Sequence, residues 1–310
     1  MKSNKTVVKD FILLAFADLH QIKSLLIFVF LLTYITCIIG NFAIIILVRL
    51  EPSLHTVMYF FIRTFSILEI MFVTVSVPKL LANLIAADNV ISFNACFTQM
   101  YVFISLGVTE CYLLIVMAFD RYLAINNPLR YPAIMTPIFS MNLALLPWII
   151  GFVMTLIPVI ITARLEFCGS NMIDHFFCDL APVQSLACSD PLISIIATST
   201  ATVFNAVVSC STITGCYVHI IMTVSNIKSK EGRQKAFSTC SSHLIVTGLF
   251  YGSALIVYAK PMGSFYNKYL SFTYTVFTPM SNPFIYAFRN RDVRKALKNS
   301  RNYLRKPRSL

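Results

Sequence analysis

Seven long apolar stretches, at roughly 25–48, 57–82, 94–124, 138–162, 192–224, 236–259 and 269–288, occupy most of this 310-residue chain. About 20 mostly apolar residues suffice to cross a bilayer as a helix. Hydrocarbon admits only helices and closed barrels, because the backbone finds no other hydrogen-bond partner there. Runs this long and without alternation are helices. The expected architecture is all-α, a seven-transmembrane helix bundle.

Composition supports that reading. The chain is 57% hydrophobic and 12% charged, with a mean hydropathy of +0.74, where soluble domains carry about 25% charged residues. Seven spans and their connections use up residues 1–310 as a single domain, with 1–24 outside, 25–288 as the bundle and 289–310 as a cytoplasmic tail. The net charge of +12 is spread asymmetrically along loops, which argues for a membrane topology signal and against nucleic acid. With the N-terminus outside, 17 Lys and Arg fall on the cytoplasmic side and 8 on the outer side, the latter offset by 7 carboxylates. The positive-inside rule then gives an N-terminus outside and a C-terminus in the cytoplasm.

The ends carry further signals. Asn4-Lys5-Thr6 is a glycosylation sequon, usable only if residue 4 reaches the lumen. The apolar run Phe11–Phe16, bracketed by Asp10 and Asp18, is too short for a signal peptide. After the seventh span, Asn290–Lys298 interleaves basic groups with Val293 and Leu297. That pattern predicts a short amphipathic helix on anionic lipid.

Cys37, Cys111, Cys210, Cys216 and Cys240 fall inside spans, where cysteine packs as a small hydrophobe. Cys96, Cys168, Cys178 and Cys188 fall on the outer side, an even number in an oxidising compartment. Four cysteines allow three pairings, and spacing does not choose among them; a metal site with His175 is the other option. Three of the four lie in the loop 163–191, long enough to be a stapled lid.

Met117–Ile125, with Asp120-Arg121-Tyr122, followed by Asn127-Pro-Leu-Arg-Tyr131, resembles odorant receptors, a branch of the rhodopsin-like G-protein-coupled receptors. The resemblance runs through Gly40-Asn41, Met58-Tyr-Phe-Phe61, Val77-Pro-Lys-Leu80, Lys235–Leu244, Phe250-Tyr-Gly252, Pro279 and Asn282-Pro-Phe-Ile-Tyr286. His175-Phe-Phe-Cys-Asp179 and Cys188-Ser-Asp190 are similar to the tetrapod-type, class II branch. Val57, Arg63-Thr64, Phe119, Asn126-Asn127 and Cys216 depart from the family pattern, which bears on coupling efficiency more than on fold.

The resemblance implies disulfides Cys96–Cys178 and Cys168–Cys188. It implies activation and coupling roles for Asp120, Arg121, Tyr122, Tyr217, Lys235, Tyr251, Asn282, Pro283 and Tyr286. Arg121 is costly at membrane depth, and adjacent Asp120 is its natural resting partner. Glu69 and Glu110, carboxylates well inside spans two and three, must be protonated, paired or bound to a cation. Similarity sets them with Asn41 and Asn282 around an interior sodium site; no other cofactor is implied.

The ligand cavity is expected in the outer half of the bundle. By similarity of position, Phe103, Ile104, Gly107 and Val108 line it from span three, and Thr198, Thr202 and Asn205 from span five. Ala254, Leu255 and Tyr258 line it from span six, Phe272 and Thr275 from span seven. This lining holds no charged residue, so the expected ligand is a small neutral volatile molecule, with acids and amines poor agonists. The implied partner is a stimulatory olfactory-type G protein that raises cAMP, the implied location the plasma membrane of olfactory neuron cilia. A rhodopsin-like receptor for a lipid or peptide is the runner-up. A transporter would show paired repeats, a retinal protein a lysine in the seventh span, and a membrane enzyme a metal-spaced histidine pair; the sequence has none of these, so it is not read as an enzyme.

Overall fold

The computed structural model describes residues 8–86, 88–258, 267–289 and 293–297, leaving Asn4 and Lys260 outside, together with the side chains of Lys235, Leu255 and Tyr258. The long helices are α1 (Lys23–Leu50), α2 (Val57–Ala86), α3 (Phe93–Asn126), α4 (Pro137–Ala163), α5 (Leu192–Ser225) and α6 (Lys230–Tyr258). A seventh, α7, runs through Asn267–Phe272, a π-helical turn Thr273–Phe277, and Thr278–Arg289. Helices α1 to α5 are each long and apolar enough to cross a membrane by the described residues alone. Helix α6 begins at Lys230, ahead of the apolar run expected from 236, because its first turns carry Lys230, Glu231 and Arg233 outside the apolar segment. Residues 293–297 are helical, but Val293 and Ala296 are the buried pair, and Leu297 is exposed.

The bundle is apolar on its outside as well as its inside. Phe28, Ile39 and Phe42 on α1, Ile149, Val153 and Ile157 on α4, and Ile193, Val203 and Val207 on α5 are all exposed. Such outward faces are tolerable only against lipid, where the driving force for packing comes from close fit rather than from burial of oily groups. Helix α3 is the axis, packing on α2, α4, α5 and α6. Its start is fixed by Ser92, whose hydroxyl accepts from Ala95 N at 3.3 Å; α4 starts likewise at Thr136, with Pro137 in its first turn. Gly151 lets α4 lie directly on α3: a Cβ there would sit 2.5 Å from the Ser105 carbonyl oxygen. Gly40 does the same for α1 against Pro283 of α7, with 3.1 Å left for a Cβ.

One end departs from the all-helical expectation. Strands β1 (Asp10–Leu13), β2 (Val90–Ser92) and β3 (Met172–Ile173) form a small sheet with β1 in the middle. β1 runs antiparallel to β2, with Phe11 opposite Ile91, and parallel to β3, with Ile12 opposite Met172. Phe11 and Leu13 point into a cluster with Phe97, Phe167 and Ile173, the period of two expected of a strand. The short apolar run near the N-terminus is thus a strap across the bundle mouth.

Candidate functional site

The lid is built on two disulfides. Cys96 of α3 joins Cys178, and Cys168 joins Cys188 within the loop between α4 and α5. Gln99 reinforces the first, its Oε1 accepting from Cys178 N at 3.0 Å and its Nε2 donating to Val75 O at 2.9 Å. His175 is buried against Phe176 and Phe177, with ring centroids 4.7 and 4.4 Å away. Burial, aided by the charge of Lys268, pushes its imidazole down to about 3. Lys268, in the first turn of α7, bonds Asp18 at 2.8 Å and Asp174 at 3.0 Å, tying strap, lid and bundle together.

Beneath the lid lies a cavity of about 970 Å³ counted to its open mouth. Phe103, Ile104, Gly107, Val108, Thr198, Thr202, Asn205 and Ala254 line it. Phe272 and Thr275 do not. Phe272 packs edge-on against Phe30 at 5.0 Å, and Thr275 is buried with its hydroxyl on Ser271 O at 2.5 Å. The π turn explains the change: its wider register delivers Tyr274 to the cavity instead, against Phe72 and Phe103. Met154, Thr155, Pro158 and Val159 of α4 form a wall that the sequence did not reveal, and Cys111, Phe250 and Tyr251 form part of the lining too.

Two features correct the expected chemistry of this lining. Asp179, the residue after Cys178, lines the cavity, so the lining is not free of ionisable acid groups. Its Oδ1 accepts from Leu180 N at 2.8 Å, and burial holds its carboxyl above the usual carboxylate range. The threonine hydroxyls of α5 have spent their protons on backbone carbonyls, and Asn205 has spent one of its two amide N–H groups. Thr198 Oγ1 donates to Ile195 O at 3.0 Å, Thr202 Oγ1 to Thr198 O at 2.9 Å and Asn205 Nδ2 to Ala201 O at 2.8 Å. What remains is mainly acceptor capacity, at Thr202 Oγ1 and Asn205 Oδ1, with one amide N–H left on Asn205; Thr198 Oγ1 already accepts from Gln184 Nε2 at 3.5 Å.

Deeper in the bundle, Glu69, Glu110 and Asn282 are fully buried. Asn282 Nδ2 donates to Glu69 Oε1, while Glu69 Oε2, Glu110 Oε1 and Asn282 Oδ1 have no partner among the described residues. Asn41 turns instead to its own helix and to α7, donating to Cys37 O at 3.0 Å and Pro279 O at 3.4 Å.

At the far end of α3, the Arg121 guanidinium lies 3.0 Å from the Asp120 carboxylate, a charge contact rather than an aligned hydrogen bond. Tyr131, in the short helix Tyr131–Ile134, donates to the other Asp120 oxygen at 2.7 Å. Tyr217 of α5 stacks on His243 of α6, its hydroxyl 2.7 Å from Nδ1. Tyr122 meets His219 edge-on, and Tyr286 of α7 packs on Phe65 with its hydroxyl unpartnered among the described residues. Pro283 lies in α7 against Gly40. One long helix therefore carries both the cavity wall and the buried arginine.

Comparison with known proteins decides the family. The model of the olfactory receptor family matches residues 30–303. The chain belongs to the olfactory receptor family. This receptor is 42% identical over 301 residues to human olfactory receptor 11H4, covering 96% of this chain and 93% of that one. It is 44% identical over 302 residues to human olfactory receptor 11G2, covering 96% and 87%. Mouse olfactory receptor 6E1 is 41% identical over 300 residues, covering 96% of each. Among solved structures, squid rhodopsin superposes with a TM-score of 0.73 at 17% identity, over 92% of this chain and 82% of that one, a likeness of fold. The receptor is thus an odorant receptor of the plasma membrane with a multi-pass helical bundle, and not an enzyme.

Proposed function

We propose that the lidded cavity binds small volatile odorants and that its occupation releases Arg121 for a stimulatory olfactory-type G protein, raising cAMP. The observation that carries this is the placement of Phe103, Ile104, Gly107 and Val108 on the same helix as Asp120 and Arg121. In this reading the lid faces outward, in olfactory neuron cilia, and the Arg121 end faces the cytoplasm with Tyr217, Lys235 and Tyr286 around the opening.

The energetics suit such a ligand. Driving a two-state bundle from almost all resting to almost all active requires about 5.5 kcal/mol of preference for the active form. Each buried methylene returns about 0.8 kcal/mol, so a ligand of about seven carbons has little to spare. Nearly all of its contacts must differ between the two bundles, as population shift demands. A carboxylate meets Asp179 and no cation in the described lining, so carboxylic acids are poor agonists. Glu69, Glu110 and Asn282 present unpartnered oxygens, the hard donor set that a sodium ion fits. Such an ion would neutralise carboxylate charge in the resting bundle.

The test is a cAMP reporter in cells displaying the receptor, screened with a chemically diverse volatile panel. Wild type responds to some members. Val108→Trp, which fills the cavity, and Arg121→Ala, which removes the switch, are both silent at undiminished surface abundance. A full response from well-displayed Arg121→Ala refutes the coupling role.

A further inference from the structure

We propose that Asp179 is the specificity-determining residue of this cavity and that it selects ligands bearing a primary amine. The inference rests on the cavity reading above and goes beyond it by naming the head group.

Among the described residues, Asp179 is the only acidic or basic side chain in the lining. It is held firmly. Cys178, its neighbour, is bonded covalently to α3 through Cys96 and donates its N–H to Gln99. The Leu180 N–H fixes one carboxyl oxygen. No cation among the described residues pairs with it, since Lys268 is committed to Asp18 and Asp174. The described residues thus supply no counter-charge for this carboxyl group.

The surrounding polar groups ask for the same partner. Thr198 and Thr202 have given their hydroxyl protons to α5 carbonyls, and Asn205 Oδ1 has no donor. The side of the cavity from Asp179 along α5 is therefore richer in acceptors than in donors, its one spare donor being the second N–H of Asn205. An aldehyde, ketone or ester, which only accepts, finds one spare amide N–H there, on Asn205, and no match for the carboxyl of Asp179. The proton donors without an aligned partner are at the floor, chiefly Tyr251 Oη. An alcohol supplies one donor. A protonated primary amine supplies three donors and a positive charge, and its bond to a carboxylate is charge-assisted. Pairing offsets the cost of bringing that charge out of water, which an unpaired charge cannot recover. The walls of Phe103, Ile104, Val108 and Val159 take the carbon skeleton.

The probes are octylamine, cyclohexylmethylamine and phenethylamine, each with its matched alcohol, aldehyde and carboxylic acid. Two readouts are taken: cAMP in cells, and thermal stabilisation of purified receptor, which needs no G protein. On wild type an amine is expected to be at least about ten-fold more potent than its matched aldehyde, which corresponds to about 1.4 kcal/mol. Asp179→Asn is expected to erase that ratio while leaving the aldehyde within about two-fold, the scatter expected of a contact not made. Asp179→Ser keeps an acceptor for the Leu180 N–H and removes the carboxyl group, so it gives the same answer if the asparagine variant is poorly displayed. The proposal is overturned if no amine acts on wild type by either readout, or if matched aldehydes equal the amines. It is equally overturned if the Asp179 variants weaken all classes alike. Val108→Trp separates the two readings: responses that survive it refute the cavity, whereas a wild type with no amine preference, whose aldehyde responses Val108→Trp abolishes, refutes only the role of Asp179.

Discussion

The lid end and the middle of the bundle treat their polar groups in opposite ways. At the lid, two disulfides, a three-stranded sheet and the Lys268 ion pairs to Asp18 and Asp174 fix the strap and loop to the helices. Gln184 of the short helix Leu180–Gln184 donates to Ser194 at 2.8 Å, closing the lid onto α5. In the middle, Glu69 Oε2, Glu110 Oε1, Asn282 Oδ1 and Tyr286 Oη are buried without partners among the described residues. Leaving such groups unmade costs about 1–3 kcal/mol each. The lid is therefore a fixed surface against which a ligand is pressed, while the middle holds groups that gain by finding new partners. Stability resides at one end and responsiveness in the middle.

The sharpest way to break this contrast is to cut the staple. Cys96→Ser removes a bridge that closes 82 residues, and loss of a native disulfide typically costs about 2–5 kcal/mol. Flow cytometry of non-permeabilised cells should find surface display close to background. Cys240→Ala, inside α6, should stay near the wild-type level. Equal display of the two variants would mean that the lid is not the fixed end.

How legible each region was in the sequence follows the same division. The spans were readable because hydropathy over twenty or more residues is a long signal, and α1 to α5 end within a few residues of where it does. The sheet was not, since strands of two to four residues leave no period to read. Phe103 to Val108 and Thr198 to Asn205 were placed on the cavity through family resemblance. Thr275 was misplaced because a π turn shifts the helix phase without changing composition. Asp179 was visible as part of a conspicuous loop, yet only folding brings that loop over the cavity. The hydroxyls of Thr198 and Thr202 were visible too, but which protons they had left depended on the α5 backbone.

Gly151 tests the wall that the fixed lid presses against. A methyl group there would meet the Ser105 carbonyl oxygen at 2.5 Å and the Thr109 nitrogen at 3.1 Å, both in the α3 backbone. Overpacking of this kind costs about 1–3 kcal/mol. Gly151→Ala should lower the melting temperature of purified receptor by several degrees. Gly248→Ala, inside α6 and meeting nothing within 4 Å, should leave it unchanged or raise it slightly.

Acid sharpens the contrast further, because His175 belongs to the lid and is held neutral. Its ordinary value of 6.5 falls to about 3 in the fold. Between those values the unfolded chain binds a proton that the folded lid refuses, so stability is full above the upper value and declines as pH falls. The slope is about 1.4 kcal/mol per pH unit within that window. Melting of purified receptor should therefore fall from about pH 6.5 to about pH 5.5, and His175→Gln should flatten that dependence. An unchanged slope in His175→Gln would place the acid sensitivity elsewhere.

The smallest effect on stability, and the most telling, is expected in the middle. Glu69→Gln keeps the shape of the side chain and one carbonyl oxygen for Asn282 Nδ2, while it removes a charge and adds an N–H donor. That donor has acceptors within the same buried cluster, since Glu110 Oε1 and Asn282 Oδ1 are both unpartnered. The exchange therefore trades one incompletely satisfied arrangement for another, and net stability should move by less than about 1 kcal/mol, the worth of a typical hydrogen bond. The resting and active bundles need not share that change equally. Any difference between them shifts the basal equilibrium about ten-fold for every 1.4 kcal/mol. Ligand-free cAMP should accordingly change several-fold at unaltered surface display and melting temperature. A variant that melted early, with basal cAMP untouched, would show that the middle of the bundle holds the fold together as the lid does, and the division between the two would fall.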